Sequence, residues 1–380
     1  MKDYVITSES VTQGHPDKIC DQISDAILDE YLKFDKNARV AVETMISNKL
    51  LVIAGEVSSK IKIDVEEIAK EVLEDIGYNT IDIGFDFNKS IVISNIVEQS
   101  HDISIGVNKE KICSGDQGIV YGYACNETKN YMPYSIDLAN RLVKRLDYVR
   151  KNYIIEGLNP DGKSQVSIHY RDENIISIDS IVIAAQHKIN VSNIKNKIIE
   201  EVIMKEIDNR YLNHETKIYV NNTGKFVKGG PAADCGLTGR KIIVDTYGSV
   251  CKHGGGAFSG KDPSKADRSG AYMARYIAKN IVASRIADRC EVGLSFVIGK
   301  EKVDSIYLNC FGSEKVSIEK INSMIPLVFN LSINSIINNF NMRRPIYRDL
   351  STYGHFGRSE KEYLWERLDK IEIIRKILSY

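Results

Sequence analysis

The chain has 380 residues, with 51 Lys+Arg against 51 Asp+Glu and 43% hydrophobic side chains. That length allows two or three domains and a core that needs no disulfide or metal to hold it, and the ordinary composition excludes wholesale disorder. A formal net charge of zero argues against a general nucleic-acid or anionic-membrane binder.

In chain order, residues 3–7 predict a strand and 16–34 a helix with Pro16 in its first turn. Ile19, Ile23, Ile27 and Tyr31 share one face. Asp17, Asp21, Asp25 and Asp29 fall roughly opposite, a solvated acidic face if the helix start is an ordinary one. Residues 40–46 and 50–57 predict a hairpin around Asn48-Lys49. Residues 64–76 predict a helix, with Asp64 and Glu67 as a capping box and Gly77 as its stop. A strand is expected at 91–96. Residues 99–118 lack periodicity, and so long a loop in a compact domain is usually functional or mobile. Beyond it, 136–148 predict a helix, 164–170 and 176–184 strands, and 191–207 a helix. The last third predicts a strand at 241–245, a helix over 264–288, strands at 291–298 and 305–310, and mostly helix over 318–339. The expected class is α+β, in three similar domains, each a mainly antiparallel sheet with helices on one face.

The seven cysteines are widely spaced and form no C-x-x-C pair, so reduced core residues are expected rather than a zinc site or a disulfide framework. The first residues lack the apolar core of a signal peptide, and no apolar run nears the roughly 20 residues of a membrane span. The cytoplasm is the expected location.

Several segments carry chemistry. Gly14-His15-Pro16-Asp17-Lys18 enters a helix, where free amides suit a phosphate and a first-turn carboxylate suits the dipole. It offers His15 and Lys18 to an anion and Asp17 to a divalent metal, or is a plain helix start. If Asn48-Lys49 is a two-residue turn, Ala41 opposes Glu56 and Glu43 opposes Ala54. The two carboxylates then lie diagonally on one face, which either holds a cation or ammonium group or is exposed. Asn159-Pro160-Asp161-Gly162-Lys163 is by itself a common turn. Residues 223–241 combine glycines, the stacking surface of Phe226 and the charges of Lys225, Asp234, Arg240 and Lys241. Gly255 to Lys261 fits G-x-x-x-x-G-K, but Asp262 stands where a P-loop has Ser or Thr. Lys261, Lys265, Asp267 and Arg268 gather at the following helix start, a polyanion site with metal capacity. A polyphosphate with magnesium is the natural ligand of this set.

Together these motifs resemble the S-adenosylmethionine synthetase (methionine adenosyltransferase) family over nearly the whole chain. The resemblance runs through Gly14-His15-Pro16-Asp17-Lys18, Gly115-Asp116-Gln117-Gly118, Asp234-Cys235-Gly236-Leu237-Thr238-Gly239-Arg240-Lys241 and Tyr353-Gly354-His355-Phe356-Gly357-Arg358. Its most specific part is Gly254-Gly255-Gly256-Ala257-Phe258-Ser259-Gly260-Lys261-Asp262. It implies transfer of the adenosyl group of ATP to the sulfur of L-methionine, with the released triphosphate hydrolysed to pyrophosphate and phosphate. It implies domains at 1–101, 112–229 and 231–380 around a pseudo-threefold axis. Also implied are a homodimer with shared active sites, paired into a homotetramer, two Mg2+ per site, and K+.

By matching position, His15, Lys163, Arg240, Lys261 and Lys265 are the expected catalytic residues. ATP contacts are His15, Asp161, Lys163, Lys225, Phe226, Asp234, Arg240, Lys241, Ala257 and Lys261. Methionine contacts are Glu56, Gln99, Asp234 and Lys265. Asp17 and Asp267 resemble magnesium ligands and Glu43 the potassium-site carboxylate; Asp116 also belongs to a family motif at the site. Residues 99–109 resemble the family's mobile loop, here shorter than usual. Other departures are Cys113-Ser114 before Gly115, Lys225 for Arg, Lys228 for an apolar residue, Asn159 for Arg and Ala232-Ala233 for Met-Gly. The competing readings are a P-loop NTPase or kinase, which Asp262 and the lack of a parallel-sheet pattern oppose, and a non-catalytic nucleotide-binding subunit.

Overall fold

The computed structural model describes residues 2–98, 113–358 and 363–380. It is an α+β structure with three sheets, each recruiting a strand from a distant part of the chain. Strand β1 (Asp3–Val11) pairs antiparallel with β6 (Leu158–Arg171), followed by β7 (Asn174–His187) and β8 (Lys217–Val220). The hairpin strands β2 (Arg39–Ser47) and β3 (Leu50–Ser58) form a second sheet. β4 (Ile91–Glu98) lies parallel at one edge, and the two-residue β9 (Gly236–Leu237) lies at the other. The third sheet has β5 (Gly118–Cys125) against β10 (Arg289–Phe296) and then β11 (Ser305–Asn309), all antiparallel. Two of the sheets therefore include one parallel pair, β3–β4 and β7–β8.

Helix α1 (Pro16–Phe34) forms over the expected residues: His15 caps it, Pro16 opens it and Asp17 sits in its first turn. It packs on β2, β9 and α2 (Val65–Ile76). Asp64 caps α2 by accepting from Glu66 N and Glu67 N, and Gly77 closes it with a left-handed backbone. The acidic side of α1 is a correction. Asp17, Asp21 and Asp25 are buried, not solvated, because later segments cover that side.

Helix α3 (Tyr134–Lys151) packs on β1 and β6. Residues 191–207 are less regular than expected: Ile194–Ile198 runs into a π-helical turn, Ile199–Ile203, and then Met204–Glu206. Helix α4 (Ala266–Ala283) is buried along almost its whole length between β5, β10 and the C-terminal segment. It stops short of the expected 288.

Residues 241–245 are not a strand. Ile242-Ile243-Val244 read as one from side-chain branching, but Ile242–Asp245 closes a helical turn with Asp245 N donating to Lys241 O at 2.9 Å. Tertiary demand overrides propensity here, since the Asp245 carboxylate meets the Lys18 ammonium in the interior. The 318–339 helix divides into Ile318–Val328 and Ile333–Asn339, the second capped by Ser332.

Candidate active site

One set of the expected residues gathers at the start of α1. His15 Nδ1 accepts the Asp17 N–H at 3.2 Å. In the neutral ring this leaves the proton on Nε2, which is then a donor. Burial and the nearby Lys241 ammonium hold its pKa down to about 4, so the ring is neutral near pH 7. Asp17 is 2% exposed. Its Oδ1 accepts from Leu237 N at 3.0 Å, its Oδ2 meets Lys241 Nζ at 2.5 Å, and Arg240 NH1 lies 3.6 Å away. Burial alone would raise the Asp17 pKa, but Lys241 and the Leu237 amide outweigh it and lower the value.

From β6, Lys163 Nζ meets Glu9 at 2.6 Å. Asp161 is buried and accepts from Gly230 N at 2.8 Å, which fixes the 226–241 segment beside it. Burial pushes its carboxyl up to about 6. Phe226 is half-buried and exchanges main-chain and ring hydrogen bonds with His187, while Lys225 and Asp234 are exposed.

A second set lies on the loop before α4. Lys261 pairs as an isolated β-bridge with Ala41, and its Nζ meets Asp267 Oδ2 at 2.5 Å. Gly260, at φ +80, is required there: a Cβ would stand 1.9 Å from Val42 O. Lys265 stands at the N-cap position of α4 without capping it by its side chain, with Nζ 3.4 Å from Asp262 Oδ2. The Gly115 amide donates to Ser264 O at 3.4 Å, which brings the exposed Asp116 near this loop. Glu43 and Glu56 come from the β2–β3 hairpin. Its register is the expected one, Ala41 opposite Glu56 and Glu43 opposite Ala54. Glu43 is exposed and Glu56 half-buried, so neither is fully buried within one chain.

Gly239 and Ala257 abut where the two loops meet: a Cβ on Gly239 would lie 2.5 Å from Ala257 Cβ. Among the described residues, no hydrogen bond or ion pair links a side chain of the first set to one of the second. Nor does any group of three His, Cys, Asp or Glu residues form a metal cage among them. Gln99 and the segment 99–109 lie outside the described residues.

Two cations read from sequence as anion contacts are spent inside the protein. Lys18 is 0% exposed and bonds Asp21 at 2.9 Å and also Asp245. Burial opposes its charge, but the two carboxylates outweigh that and raise its pKa. Arg268 is 0% exposed and grips Asp25 with both guanidinium arms. Asp262 is no P-loop substitute; it is buried and accepts from Val40 N and Ser264 N, both at 2.9 Å. Sequence reading also missed Glu9 as the partner of Lys163. Only the β1–β6 register, Val11 opposite Lys163, reveals it.

The chain matches the family models for the N-terminal, central and C-terminal domains of S-adenosylmethionine synthetase over residues 3–101, 111–226 and 228–367. It is 50% identical to the S-adenosylmethionine synthase of Helicobacter hepaticus over 378 residues, 98% of each chain. It is 50% identical to that of Helicobacter acinonychis over 385 residues and 47% identical to that of Finegoldia magna over 392, with all of each chain covered. Models of all three domains match in order, and the likeness extends over full-length relatives; the chain belongs to the S-adenosylmethionine synthetase family.

Proposed function

We infer that the protein makes S-adenosylmethionine. The methionine sulfur attacks C5′ of the ATP ribose, the triphosphate leaves whole, and it is then hydrolysed to pyrophosphate and phosphate. The observation carrying this reading, beside the family, is the pairing of Asp17 with Lys241 and Arg240 and of Asp267 with Lys261. Each pair offers a carboxylate and a cation, the two charges a magnesium-bound polyphosphate needs. A thioether attacks without losing a proton, so no base is required. His15 suits that chemistry: a neutral ring with its proton on Nε2 can donate to the departing oxygen. Lys163, Arg240, Lys241, Lys261 and Lys265 supply positive charge for the leaving group. Asp161, Lys225, Phe226, Asp234 and Ala257 hold ATP. Glu56, Gln99, Asp234 and Lys265 hold methionine.

Asp17 and Asp267 suit Mg2+, which binds through one or two carboxylates plus substrate phosphates rather than in a cage of protein ligands. The ion adds charge stabilisation at the phosphates. Glu43 is the proposed K+ carboxylate; Glu43→Ala is expected to flatten the rise of turnover with added KCl, and an unchanged potassium response removes it from that site.

The active sites are proposed to be shared in a homodimer, paired into a tetramer, built from segments 1–101, 112–229 and 231–380. The outward face of the hairpin sheet supports this. Beside Glu43 and Glu56 it exposes Ile91 (65%), Ile93 (49%), Val97 (49%) and Leu237 (37%), a contiguous apolar face of the kind a second copy covers. Co-expressing Lys241→Ala with Lys261→Ala is expected to restore about a quarter of wild-type activity, because half of the dimers then hold one intact site. No recovery means that each site is built from one chain. With free cysteines throughout and no helix among the described residues long and apolar enough to cross a membrane, the cytoplasm is the proposed location.

The function is tested by product analysis with ATP, L-methionine, magnesium and potassium. S-adenosylmethionine with pyrophosphate and phosphate is expected. Methionine-independent ATP hydrolysis without a sulfonium product overturns the reading.

A further inference from the structure

The Gly-rich stretch 254–257 has almost no hydrogen bonding of its own. Among the described residues its main chain makes one hydrogen bond: Gly255 N donates to His253 Nδ1 at 2.8 Å. The glycines on either side are held by packing. A Cβ on Gly254 would stand 1.6 Å from Ile119 O, and one on Gly256 2.3 Å from Asp267 Cγ. Gly255 has no such support. It is exposed, at φ +97, and a Cβ there would meet nothing within 4 Å. Glycine gives the backbone its widest freedom, so the imidazole of His253 selects one orientation of the Gly254–Gly255 peptide. The ring is itself seated: it is half-buried, with its centroid 6.3 Å from that of the buried Phe258.

We propose that His253 is a positioning residue: by fixing the Gly254–Gly255 peptide it sets the Gly256 main chain that walls the Asp267 carboxylate. Lys261 Nζ meets that carboxylate at Oδ2. The Gly256 backbone packs on it too closely for any side chain to stand between, with the place of a Cβ 2.3 Å from Oδ1 and 2.7 Å from Oδ2. A turn at Gly255 that lost its one bond would let this wall shift and the carboxylate turn with it. Groups that orient a metal ligand from outside commonly matter about ten- to a hundredfold in metal affinity or activity. All these contacts lie within one chain, so they are the same whether or not the site is shared between subunits.

The inference rests on the proposal that Asp267 holds Mg2+. The test compares His253→Asn with His253→Phe. Asn carries an oxygen that can accept from the N–H two residues on, as in an Asx turn. Phe keeps a planar ring against Phe258 but has no acceptor. A role in packing alone therefore favours the Phe variant, and the positioning role favours the Asn variant. His253→Phe is expected to need at least about tenfold more Mg2+ for half-maximal turnover than His253→Asn, with KM for methionine within about twofold. Equal Mg2+ requirements, or the reverse order, overturn the proposal. Asp267→Asn is the control. If its Mg2+ response matches wild type, the metal assignment fails and takes the inference with it; if its requirement rises while the two His253 variants match, only the positioning role falls. Residue-resolved hydrogen exchange of the metal-free wild type needs no variant to fold and no ion to bind. The Gly255 amide should exchange at least about tenfold more slowly than those of Gly254 and Gly256, which have no acceptor among the described residues; equal rates overturn the proposal.

Discussion

Lys265→Ala is expected to slow adenosyl transfer by about a hundred- to a thousandfold, the usual cost of removing one preorganised charge from a site where negative charge develops. The fold should survive. Lys265 has 12% of its side chain exposed and touches Asp262 at 3.4 Å. Asp262 keeps two main-chain donors, Val40 N and Ser264 N, and the nearby Arg39 after the lysine is gone. No buried charge is orphaned, so unfolding should stay within about 5 °C of wild type. Steady-state kinetics beside a thermal melt separate the two effects. Near-normal turnover would take Lys265 out of the chemistry, and a collapse in melting temperature would show that it holds the loop instead. Lys265→Arg keeps the charge but replaces a compact ammonium with a wide planar fork, and should recover only part of the rate.

Local features were legible in the sequence and long-range ones were not. The α1 bounds, the Asp64 cap, the Gly77 stop and the hairpin register each depend on residues within a few positions of one another. The pairing of β1 with β6, of β5 with β10 and of β9 with β2 leaves no such mark, because sheet partners over a hundred residues apart share no short-range periodicity. The same limit explains the acidic stripe. Four-residue spacing put Asp17, Asp21, Asp25 and Asp29 on one side of α1, but whether water or protein lies there depends on segments from the last third of the chain. It also explains Lys18 and Arg268, whose charge suggested ligand contact while their partners Asp245 and Asp25 made them structural. Motif order, in contrast, identified the family, since the Gly-rich loops keep their residue types whatever the tertiary partners.

Arg268→Met should destabilise the protein by about 3–5 kcal/mol, the cost of breaking a buried pair and leaving one charge behind. Arg268 and Asp25 are both 0% exposed, and the guanidinium reaches the two carboxylate oxygens at 2.7 and 2.8 Å. The same group donates to Phe258 O at 3.0 Å and Lys261 O at 3.2 Å, and lies 4.2 Å over the Tyr347 ring. Methionine fills much of the volume but supplies none of these donors, leaving Asp25 with the Gly260 amide and no counter-charge. The double variant Asp25→Asn with Arg268→Met removes the stranded charge and should regain part of the loss, a coupling that a double-mutant cycle reads directly. Denaturant unfolding of the two single variants and the double variant gives the answer. A loss below about 1 kcal/mol in Arg268→Met would mean that water or a proton reaches Asp25, and that the pair does not anchor the Lys261 loop to α1.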